Sequence, residues 1–227
     1  MRKRLVSTTV VLAAAGLIAI PSIANATASD KGSPTHGETI LTGHPNAPVI
    51  NTKAVHTKTT KTLKVQYKAQ ETGYWCGPAA TRIALSARQD PPSQQDLAGE
   101  LGTTENGTDD IDQVTGVLNK HLGDHYQTRR MPDDPPSQQQ KDQLWGDIVK
   151  NIDGNYPMVA NIVAPPGNQP PGYPSDQTIY HYFTVIGYND SNKTVQIADP
   201  ANFDGNSIYW LSFDQLASLI PPKGYTG

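Results

Sequence analysis

The only cysteine of the chain, Cys76, lies within residues 70–80, and this stretch constrains the fold more than any other. The residues after it are rich in alanine, and Pro78 suits the first turn of a helix, where a missing N–H is not needed. We therefore predict a helix with Cys76 at its N-terminus, where the helix dipole and free N–H groups favour a thiolate. Just upstream, the side-chain amide of Gln70 can donate a hydrogen bond to the same spot. A nucleophile at a helix start with a nearby amide donor is typical of an acyl-transfer site.

Residues 1–26 have the pattern of a secretory signal peptide. Residues 2–4 form a basic head, a largely apolar run covers residues 5–20, and Ala-Asn-Ala at residues 24–26 resembles a signal peptidase site. A membrane anchor is the alternative, but the apolar run is short and interrupted by hydroxyl side chains. We predict export by the general secretory route, cleavage after Ala26, a secreted extracellular product and no stable membrane insertion after cleavage.

Charge and cysteine usage limit the classes of function. Removing residues 1–26 takes away three positive charges and no acids, which changes the formal net charge from −3 to −6. A mildly acidic product has no strong attraction for nucleic acid, so we expect no nucleic-acid partner. A secreted chain with one cysteine cannot form an internal disulfide. Its thiol is therefore reactive, or buried and inert, or part of an intermolecular bridge.

The pattern of elements divides the chain at residue 62. Residues 27–62 lack sustained periodicity, which predicts a flexible linker or a short pro-segment, and residues 63–227 form the predicted domain. Within it we predict helices over 93–101, 109–122 and 137–152, strands over 63–69, 157–163, 180–188, 194–198 and 207–211, an exposed Pro/Gly loop over 165–174 and a last helix that begins at Ser212. Helices precede strands, which predicts an α+β fold with an antiparallel sheet.

Two residues of the predicted sheet are candidates for a catalytic pair. His181 lies in an apolar strand, and Asp199 ends the neighbouring strand of a hairpin predicted to turn at residues 189–192. That hairpin brings the two side chains close enough for an imidazole–carboxylate hydrogen bond. Alone, each has a structural explanation, as a core histidine and as a turn residue before proline. Their coincidence with an unexplained cysteine makes them candidates for the base and the orienting group that a thiol nucleophile needs.

The other histidines show no metal-ligand spacing. His36, His44 and His56 are irregularly spaced, and His121 and His125 are separated by a glycine at a predicted helix end. We interpret them as solvated or surface residues and predict no metal and no cofactor.

Three blocks of the chain resemble, in the same order, the papain-like cysteine peptidases of the bacteriocin-leader processing type, family thirty-nine of the cysteine peptidases. The blocks are Gln70 with residues 75–80, residues 181–187 and residues 195–200, and the resemblance spans residues 63–219. Together the blocks are fairly specific. The resemblance implies a papain-like α+β fold in which an N-terminal helical part carries the cysteine and a C-terminal antiparallel sheet carries the histidine and the aspartate.

The resemblance also implies a role for each candidate. Cys76 would be the nucleophile, His181 the general base, and Asp199 the residue that orients the imidazole. Gln70 and the backbone N–H of Cys76 would donate to the oxyanion. The enzyme would hydrolyse a peptide or amide bond of a peptide or protein substrate through a thioester. Four aromatic residues that flank these positions fit a substrate cleft and the core equally well: Tyr74, Trp75, Tyr180 and Tyr182.

The context departs from that of the leader peptidases, which are typically cytoplasmic domains fused to an ABC transporter and cut after Gly-Gly. This chain has an export pattern, and we identify no membrane domain or nucleotide-binding motif in it, so we do not transfer the double-glycine specificity. Two alternatives to hydrolysis remain open: capture of the thioester by an amine, as in a transferase or crosslinker, and a catalytically idle binding module. An inhibitory role for residues 27–62 is a weaker idea because they lack a clear amphipathic helix.

Overall fold

The computed structural model describes residues 59–227, which form an antiparallel sheet with helices on both faces. The helices are α1 (Cys76–Leu85), α2 (Gln94–Leu101), α3 (Ile111–Leu122), α4 (Gln138–Asp153) and α5 (Phe213–Leu219). The strands are β1 (Thr60–Thr62), β2 (Thr128–Arg130), β3 (Met158–Ala164), β4 (Ile179–Asn189), β5 (Thr194–Ala198), β6 (Ile208–Ser212) and β7 (Gly224–Thr226). The predicted signal peptide and nearly all of the predicted linker lie outside the described residues.

Local sequence signals explain where most helices begin. At the starts of α2, α3, α4 and α5, the side chains of Ser93, Asp110, Ser137 and Ser212 each accept a hydrogen bond from a backbone N–H of the first turn. Gly102 ends α2 in the left-handed conformation, with a φ of 64°. The starts predicted at Ser93 and Ser212 are confirmed.

The centre of the sheet is β4, the longest strand. The strand order is β2-β7-β3-β4-β5-β6, and every pair is antiparallel. One side of β4 pairs with β3 as far as Val185, and β1 continues that side from Gly187. The other side pairs with β5 through the predicted hairpin, with a register shift between Val185 and Gly187. Gly187 has no room for a side chain, since a Cβ there would lie 2.7 Å from the carbonyl oxygen of Lys61.

The two faces of the sheet carry separate helical layers. Val159 and Tyr182 pack with α1, α2 and α3 in one buried cluster, whereas the adjacent Met158 and Phe183 pack with α4 and α5 in another. Successive side chains of a strand point to opposite faces, so the two clusters lie on opposite sides of the sheet. The predicted α+β architecture is confirmed, with the helix of Cys76 packed on the face that carries Tyr182.

Two predictions at the N-terminal edge of the domain were wrong. Residues 63–69 do not form a strand, and Thr60–Thr62, which we placed in the linker, form β1. Burial does alternate along residues 63–69 as predicted. The backbone N–H of Leu63 donates to Ile186 and that of Gln66 to the Ser86 hydroxyl, so this segment contacts several elements rather than one neighbouring strand.

Strands β2 and β7 were not predicted. Each has three residues, too few to show an alternation of apolar and polar side chains. They pair with each other, and β7 also pairs with β3, which extends the sheet at that edge.

Candidate active site

Cys76 is the first residue of α1, as predicted, and it is half-buried. Its backbone N–H has no partner within the helix, because the first N–H groups of a helix never do. The N–H groups of Gly77 and Tyr182 hydrogen-bond to the thiol sulfur. Gly77 is required here, since a Cβ at this position would lie 2.2 Å from the Thr108 hydroxyl oxygen. The helix start therefore presents the sulfur, among N–H donors, beside the loop that contains Thr108.

Helix α1 is tied directly to strand β4. The hydroxyl of Thr184 donates to the carbonyl oxygen of Ala80 at 2.9 Å, and both residues are fully buried. Ile83 of α1 packs against Ile186 of the same strand. These contacts set the distance between the helix that carries Cys76 and the strand that carries His181.

His181 and Asp199 form a buried pair. The Nε2 atom of His181 lies 2.8 Å from Oδ1 of Asp199, and the side chains are 5% and 0% exposed. Asp199 follows the last residue of β5, so the β4–β5 hairpin brings the two residues together as the sequence predicts. The other side of the imidazole hydrogen-bonds to Cys76. The structure thus places Cys76, His181 and Asp199 in one continuous chain of contacts.

The charges of this chain stabilise one another. Burial by itself would lower the pKa of His181, but the hydrogen bond and charge of Asp199, with a further contribution from Cys76, raise it to about 10. Burial by itself would raise the pKa of Cys76, but the hydrogen bond and charge of His181 outweigh burial and lower it. Each charge thus favours the other, which biases the pair toward a thiolate beside an imidazolium.

Asp199 accepts more hydrogen bonds than the sequence suggested. Its Oδ1 also accepts from the backbone N–H of Ala201 at 2.9 Å, and its Oδ2 accepts from the hydroxyls of Tyr173 and Tyr209. Burial would raise the pKa of Asp199, but the charge and hydrogen bond of His181 and these hydroxyls together lower it. The carboxylate consequently stays ionised beside the imidazolium.

Gln70 lies next to the turn that follows Asp199. Its backbone N–H donates to the carbonyl oxygen of Pro200 at 2.8 Å, and its side-chain Nε2 donates to that of Thr72 at 2.9 Å. The side-chain oxygen of Gln70 is buried without a hydrogen-bond partner in the described part of the chain. One of its two amide hydrogens is thus engaged by Thr72, and the described contacts include no hydrogen bond between Gln70 and Cys76.

The four predicted aromatic residues separate into two pairs. Tyr180 and Tyr182 line the cleft that contains Cys76 and His181. Tyr180 is 68% exposed, whereas Tyr182 is buried and also belongs to the core beneath the cleft. Tyr74 and Trp75 contact each other edge-to-face and do not line this cleft.

The remaining cleft residues were missed by the sequence analysis. The cleft has a volume of about 240 Å³, and loops and neighbouring strands also contribute Asn106, Gly107, Thr108, Asp109, Asn161 and Lys223 to its lining. At its floor, the hydroxyl of Tyr182 accepts from Asn161 and donates to the carbonyl oxygen of Thr108. These residues carry no motif of their own, because folding brings them together from distant parts of the chain.

The histidines interpreted as surface residues have structural partners. His121 lies 3.0 Å from Glu100, and His125 stacks on Tyr156 and hydrogen-bonds to Asn151. Within residues 59–227, no three histidine, cysteine or acidic side chains cluster closely enough to hold a metal ion. None of the helices in the same range is both long and apolar enough to cross a bilayer.

Comparison with solved structures shows the fold. A protein from Bacillus anthracis described as a C39-like peptidase is 12% identical and has a TM-score of 0.52, with 74% of this chain and 96% of that chain covered. The peptidase domain of Streptococcus ComA, a bi-functional ABC transporter involved in quorum sensing, is 20% identical over 70% of this chain and 96% of its own, with a TM-score of 0.45. Xylellain, a cysteine protease from Xylella fastidiosa, is 16% identical over 74% of this chain and 84% of its own, also at 0.45.

At this identity, the similarity to the Bacillus anthracis protein shows a shared fold and nothing more. The similarities to the ComA domain and to xylellain have lower TM-scores and support no further conclusion. No curated protein matches the chain. A family model described as "Peptidase_C39 like family" matches residues 62–218. That match includes Cys76, His181 and Asp199 and covers more than half of the chain. We conclude that this α+β, papain-like protein belongs to the Peptidase_C39 like family.

Proposed function

We propose that this protein is a cysteine peptidase that hydrolyses a peptide or amide bond through a thioester on Cys76. The observation that carries the proposal is the chain of contacts from the Cys76 thiol through the His181 imidazole to the buried Asp199 carboxylate. A nucleophile, a base and a group that orients the base are the parts that covalent acyl transfer needs. Membership of a family of cysteine peptidases supports the same reaction.

The first step forms the thioester. The Cys76 thiolate attacks the substrate carbonyl carbon, and the carbonyl electron pair moves onto oxygen. The backbone N–H of Cys76, free at the start of α1, and the second amide hydrogen of Gln70 are the proposed donors to this oxyanion. As the oxyanion collapses, the C–N bond breaks and the His181 imidazolium gives its proton to the leaving amine.

The second step releases the acid. Neutral His181 takes a proton from water as the water oxygen attacks the thioester carbonyl carbon. The C–S bond then breaks, and the thiolate and the imidazolium are restored. Asp199 holds the imidazole in place and stabilises its positive charge throughout. Each acid–base contribution is worth about 10²–10⁴-fold in rate, and each oxyanion donor about 10²–10³-fold.

The test is hydrolysis of a panel of peptides and amides by the intact chain and by Cys76→Ala, with products identified by mass spectrometry. We expect the substitution to remove hydrolysis by at least about 10⁴-fold, because no thioester forms without the sulfur. Hydrolysis that survives Cys76→Ala contradicts the proposal. Addition of primary amines separates hydrolysis from transfer, since a transferase would give amine conjugates in place of the free acid.

We also propose that the protein is exported and acts on a peptide or protein outside the cell. The support is the basic head, apolar run and small-residue site within residues 1–26. N-terminal sequencing of protein recovered from the medium of an expressing culture is expected to begin at Thr27. A product that stays in the cell and begins at Met1 would contradict export.

A further inference from the structure

The Asp199 carboxylate receives four hydrogen bonds, more than orienting a histidine requires. Oδ1 accepts from His181 Nε2 at 2.8 Å and from the Ala201 N–H at 2.9 Å. Oδ2 accepts from the Tyr173 hydroxyl at 2.7 Å and from the Tyr209 hydroxyl at 2.6 Å. Two donors on each oxygen leave the carboxylate little freedom to rotate, so Oδ1 is kept on the side of the imidazole.

The two tyrosines reach Asp199 from different elements. Tyr209 lies in β6, which pairs with β5, the strand that Asp199 follows. Tyr173 lies in the loop between β3 and β4, which we predicted to be exposed, yet its side chain is only 7% exposed. Its ring contacts the His181 ring edge-to-face, with 6.0 Å between centroids. The loop therefore covers the imidazole–carboxylate pair and brings a donor to it.

The path of this loop is fixed by contacts with the turn that follows Asp199 and with α5. Gly172 has a φ of +79° and lies against the backbone near Phe203, where a Cβ would come within 2.3 Å of the Phe203 carbonyl oxygen. Asn168 of the loop donates to the Ser218 hydroxyl in α5 at 3.0 Å. The position of Tyr173 is thus determined by packing and does not depend on its hydrogen bond alone.

We propose that Tyr173 and Tyr209 are positioning residues that hold the Asp199 carboxylate in one orientation, with Oδ1 presented to His181. This inference rests on the proposed function, because it assigns the tyrosines a purpose in supporting the Cys76–His181 pair. Burial and the Asp199 charge raise the pKa of both tyrosines far above neutral, so their hydroxyls remain protonated donors.

A third tyrosine provides a matched control. The hydroxyl of Tyr67 donates at 2.9 Å to the backbone carbonyl oxygen of Asp199 and not to its carboxylate. Burial and the charge of Asp199 raise the pKa of Tyr67 to about 12, so it too stays protonated. The three tyrosines share the residue type and the neighbourhood, and they differ in which Asp199 oxygen they contact.

Loss of the hydroxyl of Tyr173 or Tyr209 should raise the pKa of the Cys76 thiol. The titratable groups around the Asp199 side chain are His181, Tyr173 and Tyr209, with Tyr67 against its backbone and Cys76 beyond the imidazole. Each hydroxyl points its positive end at a site that carries a thiolate, an imidazolium and a carboxylate. Removing that dipole raises the pKa of the negative groups, including Cys76.

The experiment is the rate of iodoacetamide alkylation against pH for the intact chain and for Tyr173→Phe, Tyr209→Phe and Tyr67→Phe. Cys76 is the only cysteine, so the label reports on this site alone. We expect the acid-side midpoint of the profile to move up by about half a pH unit in Tyr173→Phe and in Tyr209→Phe. The midpoint should stay in place in Tyr67→Phe. Thermal melting shows whether each variant is folded. Tyr173→Phe and Tyr209→Phe each test the inference separately.

The outcomes distinguish this inference from the function on which it rests. An unaltered protein whose thiol titrates like a free cysteine overturns the proposed function. The tyrosine inference is overturned if the alkylation midpoint lies below that of a free thiol and is the same in all four proteins. It is also overturned if the midpoint moves up equally in Tyr67→Phe. Both results leave the proposed function standing.

Discussion

His181–Asp199 and His121–Glu100 are both histidine–carboxylate pairs, with almost the same separation and very different surroundings. Their nitrogen–oxygen distances are 2.8 Å and 3.0 Å. The first pair is almost completely buried, whereas the side chains of the second are 18% and 23% exposed. Cys76 lies on the far side of His181, while His121 has Gln89 within 3.5 Å of its other nitrogen. A histidine–carboxylate contact is therefore not by itself a sign of catalysis.

The partners of each carboxylate explain the difference. Glu100 is shared between His121 and Lys120, and the hydrogen bond from Lys120 is the main cause of the lowered pKa of Glu100. An exposed ion pair of this kind contributes little and is screened by solvent. The charge of Asp199 is directed at His181 in a buried site, where the imidazolium then stabilises a thiolate.

The largest expected difference is between the activities of His181→Ala and His121→Ala. We expect His181→Ala to reduce kcat/KM by at least about 10⁴-fold, because it removes the base, the acid and the charge that holds the thiolate. His121→Ala should leave kcat/KM unchanged, since the side-chain partners of His121 within residues 59–227 are Gln89 and Glu100, and neither lines the cleft. Steady-state hydrolysis of one peptide by both variants checks this. Equal losses in the two variants would contradict a catalytic role that is specific to His181.

Neutralising the two carboxylates should give a smaller contrast in the same direction. Asp199→Asn keeps the shape of the side chain but removes its charge, and we expect kcat/KM to fall by about 10²–10⁴-fold. Glu100→Gln should have no effect on hydrolysis. A similar fall in kcat/KM in Glu100→Gln would contradict a special role of the Asp199 charge.

A glutamine lies near each of the two histidine–carboxylate pairs, and the two glutamines should differ in their effect on hydrolysis. Gln70→Ala should lower kcat by about 10²–10³-fold with little change in KM, since an oxyanion donor acts mainly in the transition state. Gln89→Ala, which removes the second partner of His121 beside Glu100, should change neither constant. A Gln70→Ala variant with normal kcat would remove Gln70 from the site and leave the backbone N–H of Cys76 as the remaining donor.

The smallest effect concerns the dependence of stability on pH, and it is measured in Cys76→Ala. The lowered pKa of the thiol acts in the opposite sense over the same pH range, so it must be absent. The raised pKa of His181 contributes stability that is complete below its unfolded value of about 6.5 and is lost as pH rises through the folded value. Cys76→Ala also removes the contribution of Cys76 to this raised pKa, and the hydrogen bond and charge of Asp199 remain to raise it. We expect the free energy of unfolding to fall by about 1–3 kcal/mol as pH rises from about 6.5 through the folded pKa of His181.

Urea denaturation at several pH values checks this, with His181→Gln and His121→Gln each added to Cys76→Ala. The decrease should disappear with His181→Gln and persist with His121→Gln. A decrease that persists in both would assign it to groups outside the candidate site.

Local patterns were enough to predict the parts of the site that depend on short-range structure. The helix start at Cys76 follows from Pro78 and the alanines after it, and the β4–β5 hairpin follows from two apolar strands around a polar turn at residues 189–192. Once the hairpin is known, the contact between His181 and Asp199 follows from strand pairing. Most helix starts could be predicted for the same reason, because a capping side chain acts on its own first turn.

Contacts between distant segments could not be predicted in this way. Tyr173 has the sequence context of an exposed loop, and the packing of that loop against the turn after Asp199 and against the core buries it. Tyr209 looks like any strand tyrosine until β6 pairs with β5. Residues 63–69 alternate like a strand, yet the alternation arises from contacts with several elements. Burial patterns are visible in a sequence, whereas the partner that causes the burial is not.

The rate of Cys76 alkylation against pH in the intact chain, His181→Ala and His121→Ala would show directly whether His181 holds Cys76 as a thiolate. We expect the intact chain and His121→Ala to keep reacting well below the free thiol pKa of about 8.5, and His181→Ala to lose this advantage. If all three proteins instead follow an ordinary thiol, the site is idle and His181 does not hold Cys76 as a thiolate.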